Sequence, residues 1–372
     1  MKFRPKKYES AKILLDVSRM VVSSLDPDIV SKRVLKELIS ALGADHASLF
    51  LIDEDTGFLF LHDALGFSAD EIDNIKILGG WEVINEEVVK KRNILTINDM
   101  LTSSLFKKKE LPFSHEKIPI MSFMAVHLER EEKIVGVLIV SNRKRSGCRF
   151  TKEDEKLLSG LSNDIAIAII NAKLHKNLKD LYFNTVKSLV KTIEAKDPYT
   201  GGHSERVMNY ALAIGSQMRL HKEAMENVRL SGLLHDIGKV GVKDDILVKN
   251  GELSEPEREA ISKHPYIGAQ IVESIAKSRQ ITRGIFEHHE RFGGGGYPSG
   301  LKGNAISLEA RIIAIADAYD ALTTDRPYQK SLSAEEAYGM ILKGSRRRFD
   351  PKIVKSFIAS FKKHPKIWHS SG

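Results

Sequence analysis

Seven residues in the second half of the chain have side chains that bind metal ions: His203, His235, Asp236, His264, His288, His289 and Asp317. Imidazole plus carboxylate, with no thiolate, suits iron, manganese or zinc in an open catalytic site. His235-Asp236 follows the apolar run LSGLL, and Asp317 follows IIAIA. A carboxylate closing an apolar run is costly to bury unless it is paired or bound to a cation. A lone His-Asp dipeptide carries little weight, because a hydrogen-bonded core histidine reads the same way. Here the pair has company. His203 opens a helix after Gly201-Gly202. Asp236, with two oxygens, can bridge two ions; His203, His235 and Asp317 then complete one, and His264, His288 and His289 serve the other. Two ions about 4 Å apart suit phosphoester hydrolysis, since coordination brings a water pKa from about 15.7 towards 7 and neutralises charge on the phosphoryl oxygens.

The stretch EHHERFGGGGYPSG raises a separate question. Four glycines usually mark a hinge, yet these run from two histidines to Tyr297-Pro298. The alternative is an edge of the site, where glycine lets backbone approach a substrate that side chains would obstruct and Pro298 restrains the far end.

The elements that carry these residues sit in a chain of 372 residues, long enough for two or three domains. Its composition, 42% hydrophobic and 28% charged, is that of an ordinary globular protein. Cys148 is the single cysteine, which excludes an intrachain disulfide and a thiolate metal cluster. No apolar run approaches the roughly 20 residues of a membrane span. The basic start, MKFRPKKYES, lacks the apolar stretch of a secretory signal. A cytoplasmic protein with no membrane partner is expected. A net charge of +8 and a pI near 9.2 favour anionic partners. No helix–turn–helix, zinc-finger or RNA-binding signature accompanies the charge, so a nucleic-acid polymer is not the expected partner.

Residues 8–24 read as a helix, with Ile13, Leu14, Val17, Met20 and Val21 at helical spacing. Asp26-Pro27 opens a second helix, whose apolar face is Val30, Val34, Leu35, Leu38 and Ile39. Strand-like runs follow at 47–52 and 58–61 with a turn at 53–57, then at 122–128 and 133–141 joined by 129–132. The last run, KIVGVLIVS, is β-branched in the manner of a buried strand. One sheet in an α+β domain accounts for this order. Residues 151–193 read as one long helix, opened by Thr151 with Asp154 in a capping-box arrangement. Along it Ile167, Ile170, Leu174, Leu178 and Leu181 fall at steps of three and four, a seam suited to a parallel homodimer. Past Asp197 the patterns are helical only. The expected organisation is an α+β domain over 1–155, a linker helix over 156–195 and an all-α domain over 196–372.

The order of helices and hairpins over residues 10–175 resembles a GAF domain, a small-molecule sensor or dimerisation module. That resemblance implies a small-molecule ligand, although no pocket set is identifiable, and Cys148 in RKRSGCRF reads as incidental. In the second half, GGH, His-Asp and the distant Asp resemble the HD superfamily of metal-dependent phosphohydrolases. HHERFGGGGYPSGL resembles its HD-GYP subgroup, as do DPYTGGHSERV, HDIGKVGV, LVKNGELSEPE and ADAYDALTTDRPY, together covering residues 190–360. The resemblance implies hydrolysis of cyclic di-GMP to linear pGpG and in some members GMP. Carried over by position, it makes the seven residues above ligands of two divalent ions, iron first and manganese as the alternative. A third ion would be helped by an acidic residue upstream of GGH, Glu194 here or else Asp197. Lys239, one helical turn after His235, would bind phosphate or protonate the leaving 3′ oxygen. Arg326 and Lys330 would contact the substrate phosphates and guanine, and Tyr297 would line the cleft. One departure stands out: Gly293 replaces the family's usual Asp or Asn, which is expected to loosen the loop or remove a contact. Two other readings remain: a cyclic di-GMP receptor with little turnover, and a phosphohydrolase of another cyclic dinucleotide.

Overall fold

The computed structural model describes residues 26–77, 81–100, 102–103, 105, 120–142, 149–196, 201–249, 251–274, 278–325 and 330–369. The helix expected at 8–24, Cys148, Asp197 and Arg326 lie outside them. The chain divides into two compact units, Met1–Leu181 and Tyr182–Gly372.

In the first unit, helix α1 (Pro27–Leu42) is capped by the Asp26 carboxylate, which accepts from Asp28 N, and it closes on Gly43 at φ 59. Five strands follow: β1 (His46–Ile52), β2 (Leu59–Leu65), β3 (Leu95–Ile97), β4 (Ser122–Arg130) and β5 (Lys133–Asn142). They form one antiparallel sheet in the order β2-β1-β5-β4-β3. Asp53 Oδ1 accepts from Thr56 N at 2.8 Å and sets the first turn. Glu131 and Glu132, at φ 51 and 65, make the tight β4–β5 turn, a primed-turn geometry that usually selects Gly or Asn. Strand β3 was not foreseen; three residues are too few to show alternation. The sheet is covered on both faces. Leu35, Leu38, Leu49, Leu138, Leu158 and Ile165 fill one core, and Phe50, Phe123, Val137, Ile139, Ile84 and Val88 the other. This double burial is why β5 reads as a continuous apolar run rather than an alternating one. Between β2 and β3 lie helix α2 (Ala69–Ile77) and a short π-helix, Asn85–Lys90.

Helix α3 (Lys152–Glu194) is the long helix expected from the pattern. Thr151 N donates to Asp154 Oδ2 at 2.7 Å, and Asp154 N donates back to Thr151 Oγ1 at 3.3 Å, completing the capping box. By length and composition α3 also matches a membrane span over an 18-residue window, which qualifies the reading that no such run exists. Half of that window is buried, with Leu158, Leu161, Ile165 and Ile169 in the core of the first unit.

The described residues of the second unit are helical. Its main helices are α4 (His203–Gln217), α5 (Lys222–Leu234), α6 (His264–Glu273), α7 (Arg279–Phe286), α8 (Leu308–Thr323), α9 (Ala334–Lys343) and α10 (Pro351–Lys363). One core packs α4, α8 and α10 around Tyr210, Tyr319, Phe357 and Trp368, and the Tyr319 hydroxyl donates to the Trp368 carbonyl at 2.6 Å. A second core joins Val186 and Val190 of α3 to Leu233, Leu234, Ile237, Val272 and Ile285. Each such fully buried aliphatic side chain stabilises the fold by about 1.5–3 kcal/mol. The two cores hold the helix ends on which the polar residues sit.

Candidate metal centre

The histidines come from the ends of helices rather than their middles. His203 is the first residue of α4, behind Gly202 at φ 73. His264 is the first residue of α6. His235 closes α5, and Asp236 follows at φ −98, ψ 5, before a 3₁₀ turn (Ile237–Gly241). The His-Asp pair therefore lies at a helix end, with His235 buried as its apolar lead-in suggests. His288 and His289 follow α7 in a turn. Glu287, just before them, is 4% exposed, accepts from Arg283 Nε at 2.7 Å and takes the Ser307 N–H at 2.6 Å. That carboxylate ties the histidine turn to the start of α8, the helix that carries Asp317.

Four imidazoles share one orientation. Nδ1 of His235, His264 and His288 lies 2.8, 2.6 and 2.6 Å from the carbonyl oxygen three residues earlier, on Gly232, Ile261 and Ile285. Nδ1 of His203 lies 2.7 Å from Asp320 Oδ2. Each acceptor holds the proton on Nδ1 and turns the Nε2 lone pair inward, the arrangement that prepares histidine for metal binding. The inward nitrogens then crowd one another: His203 Nε2 to His235 Nε2 is 3.2 Å, and His264 Nε2 to His288 Nε2 is 3.3 Å. Two lone pairs facing each other at that distance repel unless a cation lies between them. The donor atoms form two groups, His203–His235–Asp236 and His264–His288–His289, each with its atoms within 4.8 Å of one another. Asp236 belongs to both. Its Oδ2 is 3.6 Å from Nε2 of both His203 and His235, and its Oδ1 is 3.2 Å from His264 Nε2. Asp317 Oδ1 joins the first group at 3.6 Å from His203 Nε2. The residues fit a pair of divalent ions.

Protonation follows the same geometry. Burial lowers the pKa of His235. Burial and the neighbouring His235 and His264 take His288 down to about 3, and burial with His288 beside it takes His289 lower still. Burial alone would raise the Asp236 carboxyl, but Lys239, His235 and His264 outweigh it and hold it well below the usual carboxylate range. His203 is the exception. Burial opposes its charge, yet the Asp320 hydrogen bond and the charges of Asp317 and Asp236 raise it. The site thus favours a positive charge beside His203, which an extra proton or a bound cation supplies equally well.

The remaining candidates divide. Lys239 reaches the site through Asp236: its Nζ is 2.7 Å from Oδ2, an i,i+3 pairing made by the 3₁₀ turn rather than one α-helical turn from His235. Glu194 is buried and spends its oxygens on the start of α4, accepting from Gly202 N at 3.0 Å and Ser204 N at 2.8 Å. It also lines a cavity of about 20 Å³ with His203, Asp236 and Lys239. The Tyr297 ring lies 4.7 Å from that of His289. Lys330 is exposed and sits by Asp325, with no contact to the histidine groups among the described residues. Gly293 is explained by its neighbours: its N–H donates to Arg347 O at 2.8 Å, and a Cβ there would lie 2.7 Å from the same oxygen. Gly296 is likewise hemmed in by the backbone of Glu290 and Arg291 at 2.5 Å. These glycines admit the chain's own backbone, and the loop is docked at Gly293.

Two family models match parts of the chain. Residues 187–353 match the family model of the HD domain, and residues 24–170 match that of the GAF domain. A segment that matches the GAF domain thus precedes one that matches the HD domain. Among its curated relatives, a 3′3′-cGAMP-specific phosphodiesterase of Vibrio cholerae is 38% identical over 205 residues, 54% of this chain and 45% of the relative. The cyclic di-GMP phosphodiesterase response regulator RpfG of Xanthomonas campestris is 37% identical over 177 residues, 47% of each chain. A cyclic di-GMP phosphodiesterase of Pseudomonas aeruginosa is 38% identical over 186 residues, 49% of this chain and 44% of that one. The chain spans about half the length of the curated relatives it matches.

Sequence reasoning missed several residues around the two histidine groups. Asp320 had a signal: it lies three residues after Asp317 in ADAYDALT, one turn on along the same helix face. Arg206, whose Nε donates to Asp320 Oδ1 at 2.7 Å, lies three residues after His203 by the same logic. Arg348 and Arg291 line a cavity with His288, His289 and Tyr297. No spacing rule points to Arg348, because chain folding alone brings it there.

Proposed function

We propose that the protein is a metal-dependent phosphodiesterase that hydrolyses cyclic di-GMP to pGpG, with GMP as a further product, under the control of its GAF domain. The observation that carries this is the Asp236 carboxylate, whose two oxygens are divided between two groups of inward-facing imidazoles. His203, His235 and Asp317 would hold one divalent ion, and His264, His288 and His289 the other, with Asp236 bridging. When bound, such a pair supplies a nucleophile at neutral pH and neutralises charge on the phosphoryl group. Lys239 holds its proton at Nζ beside Asp236, placed to bind a phosphate oxygen or protonate the leaving 3′ oxygen. Asp320 and the three carbonyls fix which imidazole nitrogen is free. The Glu194 cavity, of about 20 Å³, has room for one water-sized particle and supports a third ion there. Iron is the proposed metal, with manganese as the alternative. Arg326 and Lys330 keep their proposed role on the substrate's phosphates and guanine, and Tyr297 its place in the cleft. The proposed domain limits remain 1–155, 156–195 and 196–372. A homodimer through α3 is supported by Leu174, Leu178 and Leu181, which are 56, 66 and 64% exposed at steps of four and three. A cytoplasmic setting, where nucleotide messengers are available, completes the reading.

Metal analysis of anaerobically purified protein, combined with product analysis from cyclic di-GMP, tests it. Iron near two or three per chain with pGpG formed is the expected result. No product from the metal-loaded parent, with His235→Ala and Asp236→Ala behaving like it, refutes the reading. A second substrate is favoured by a specific observation, the similarity to a 3′3′-cGAMP-specific enzyme. The same assay with 3′3′-cGAMP in competition ranks the two.

A further inference from the structure

Arg291 and Arg348 line a cavity of about 250 Å³ with His288, His289, Tyr297 and Asp317, so the cavity opens on the proposed metal ligands themselves. Both arginines are exposed, and neither has a hydrogen bond or ion pair from its guanidinium among the described residues. Arg348 only lies over the Phe349 ring, 5.3 Å from its centre. Other arginines of this unit are paired: Arg206 with Asp320, Arg283 with Glu287 and Arg311 with Asp350. Of the two acids that line the cavity, Asp317 is paired with His203 and Glu290 accepts the Ser299 N–H on Oε1, while Glu290 Oε2 is buried without a hydrogen-bond partner. The position of Arg348 is built in. Phe292 N donates to Arg348 O at 3.1 Å, and Gly293 N donates to Arg347 O at 2.8 Å. Any side chain at 293 would press on that carbonyl. The glycine that departs from the usual pattern is thus what seats the arginine run against the loop.

We propose that Arg291 and Arg348 form a clamp for a phosphate of the substrate other than the one being cleaved. This rests on the reading of the protein as a cyclic-dinucleotide phosphodiesterase. Such a substrate carries two phosphodiesters. With one at the imidazole groups, the second is left to this cationic wall, where guanidinium forks match phosphate oxygens in a bidentate fashion. The test is the equilibrium binding of hydrolysis-resistant phosphorothioate analogues of cyclic di-GMP and cyclic di-AMP to the metal-loaded parent, Arg348→Ala, Arg291→Ala and Arg348→Lys. Each alanine variant raises Kd roughly tenfold or more for both analogues, Arg348→Lys falls between, and thermal stability holds because both side chains are exposed. A Kd within about twofold of the parent, a loss confined to the guanine analogue, or no binding by the parent overturns the clamp. Turnover of bis(p-nitrophenyl) phosphate by the parent is measured alongside. Its absence counts against the phosphodiesterase reading, while the Kd ratios still decide the clamp.

Discussion

Replacing Asp320 by Asn separates the residue that orients a proposed ligand from that ligand itself. Asp320 is 1% exposed. Its Oδ2 is 2.7 Å from His203 Nδ1, and it receives Arg206 Nε on Oδ1 at 2.7 Å and Nη2 on Oδ2 at 3.1 Å. An amide cannot serve both neighbours. With its NH₂ towards His203 it forces the proton to Nε2 and removes the inward lone pair; with its oxygen there, the NH₂ faces the Arg206 guanidinium. Changes of this kind behind a ligand cost about 10–100-fold in metal affinity, equivalent to about 1.4–2.7 kcal/mol. Breaking a fully buried ion pair costs about 3–5 kcal/mol. Arg206 is a quarter exposed and keeps its bond to Gly201 O, so a stability loss of about 2–3 kcal/mol is expected here. The assay is Mn²⁺ binding against a competing chelator, with urea unfolding of the same samples. Arg206→Leu is the control, since it leaves the carboxylate on His203: its stability falls, but its affinity falls far less. The reasoning is refuted if Asp320→Asn binds Mn²⁺ like the parent, or if Arg206→Leu loses as much affinity.

Three further outcomes are expected from other parts of the structure. His288, lowered to about 3 by burial and its neighbours, takes its proton only in the unfolded chain between about pH 6.5 and 3. The unfolded state then binds more protons, so stability is intact above pH 6.5 and falls as pH drops through that window, by up to about 1.4 kcal/mol per pH unit. Urea unfolding in EDTA from pH 6.5 to 4.5 shows a shallower fall for His288→Asn than for the parent; equal slopes would mean that His288 is not buried and neutral. Gly238→Ala places a Cβ 1.9 Å from the His264 carbonyl oxygen and 2.5 Å from Gly268 N, both backbone atoms. It lowers stability by about 3 kcal/mol or more and pushes His264 away from Asp236; a melting temperature equal to the parent's would contradict this packing. Leu174→Glu with Leu178→Glu charges the exposed face of α3 and halves the mass seen by light scattering, whereas a parent that is already monomeric removes the dimer.

What could be read from the sequence, and what could not, divides along sequence separation. The α1 face, the capping box at Thr151 and the hairpin turn at Asp53 are local, set by residues within four positions of one another, and all are visible as patterns. The candidate ligands were legible for two other reasons. His235, Asp236 and Asp317 close apolar runs, where burying an acid or imidazole calls for a compensating partner, and the full set of seven follows from the resemblance to the HD-GYP motifs. The features that stayed hidden depend on distance along the chain. Asp320 acts on a histidine 117 positions away. Glu287 reaches the amide of Ser307. Arg348 arrives beside Tyr297 only because its own backbone pairs with the glycine loop. Gly293 is the clearest case. In sequence it is a missing side chain and therefore a looser loop; in the fold it admits the Arg347 carbonyl at hydrogen-bonding distance. Its absent side chain leaves the room that the Arg347 carbonyl, some fifty residues later, occupies. Restoring Asp or Asn at 293 alone should therefore disturb the loop unless the 346–348 segment changes with it.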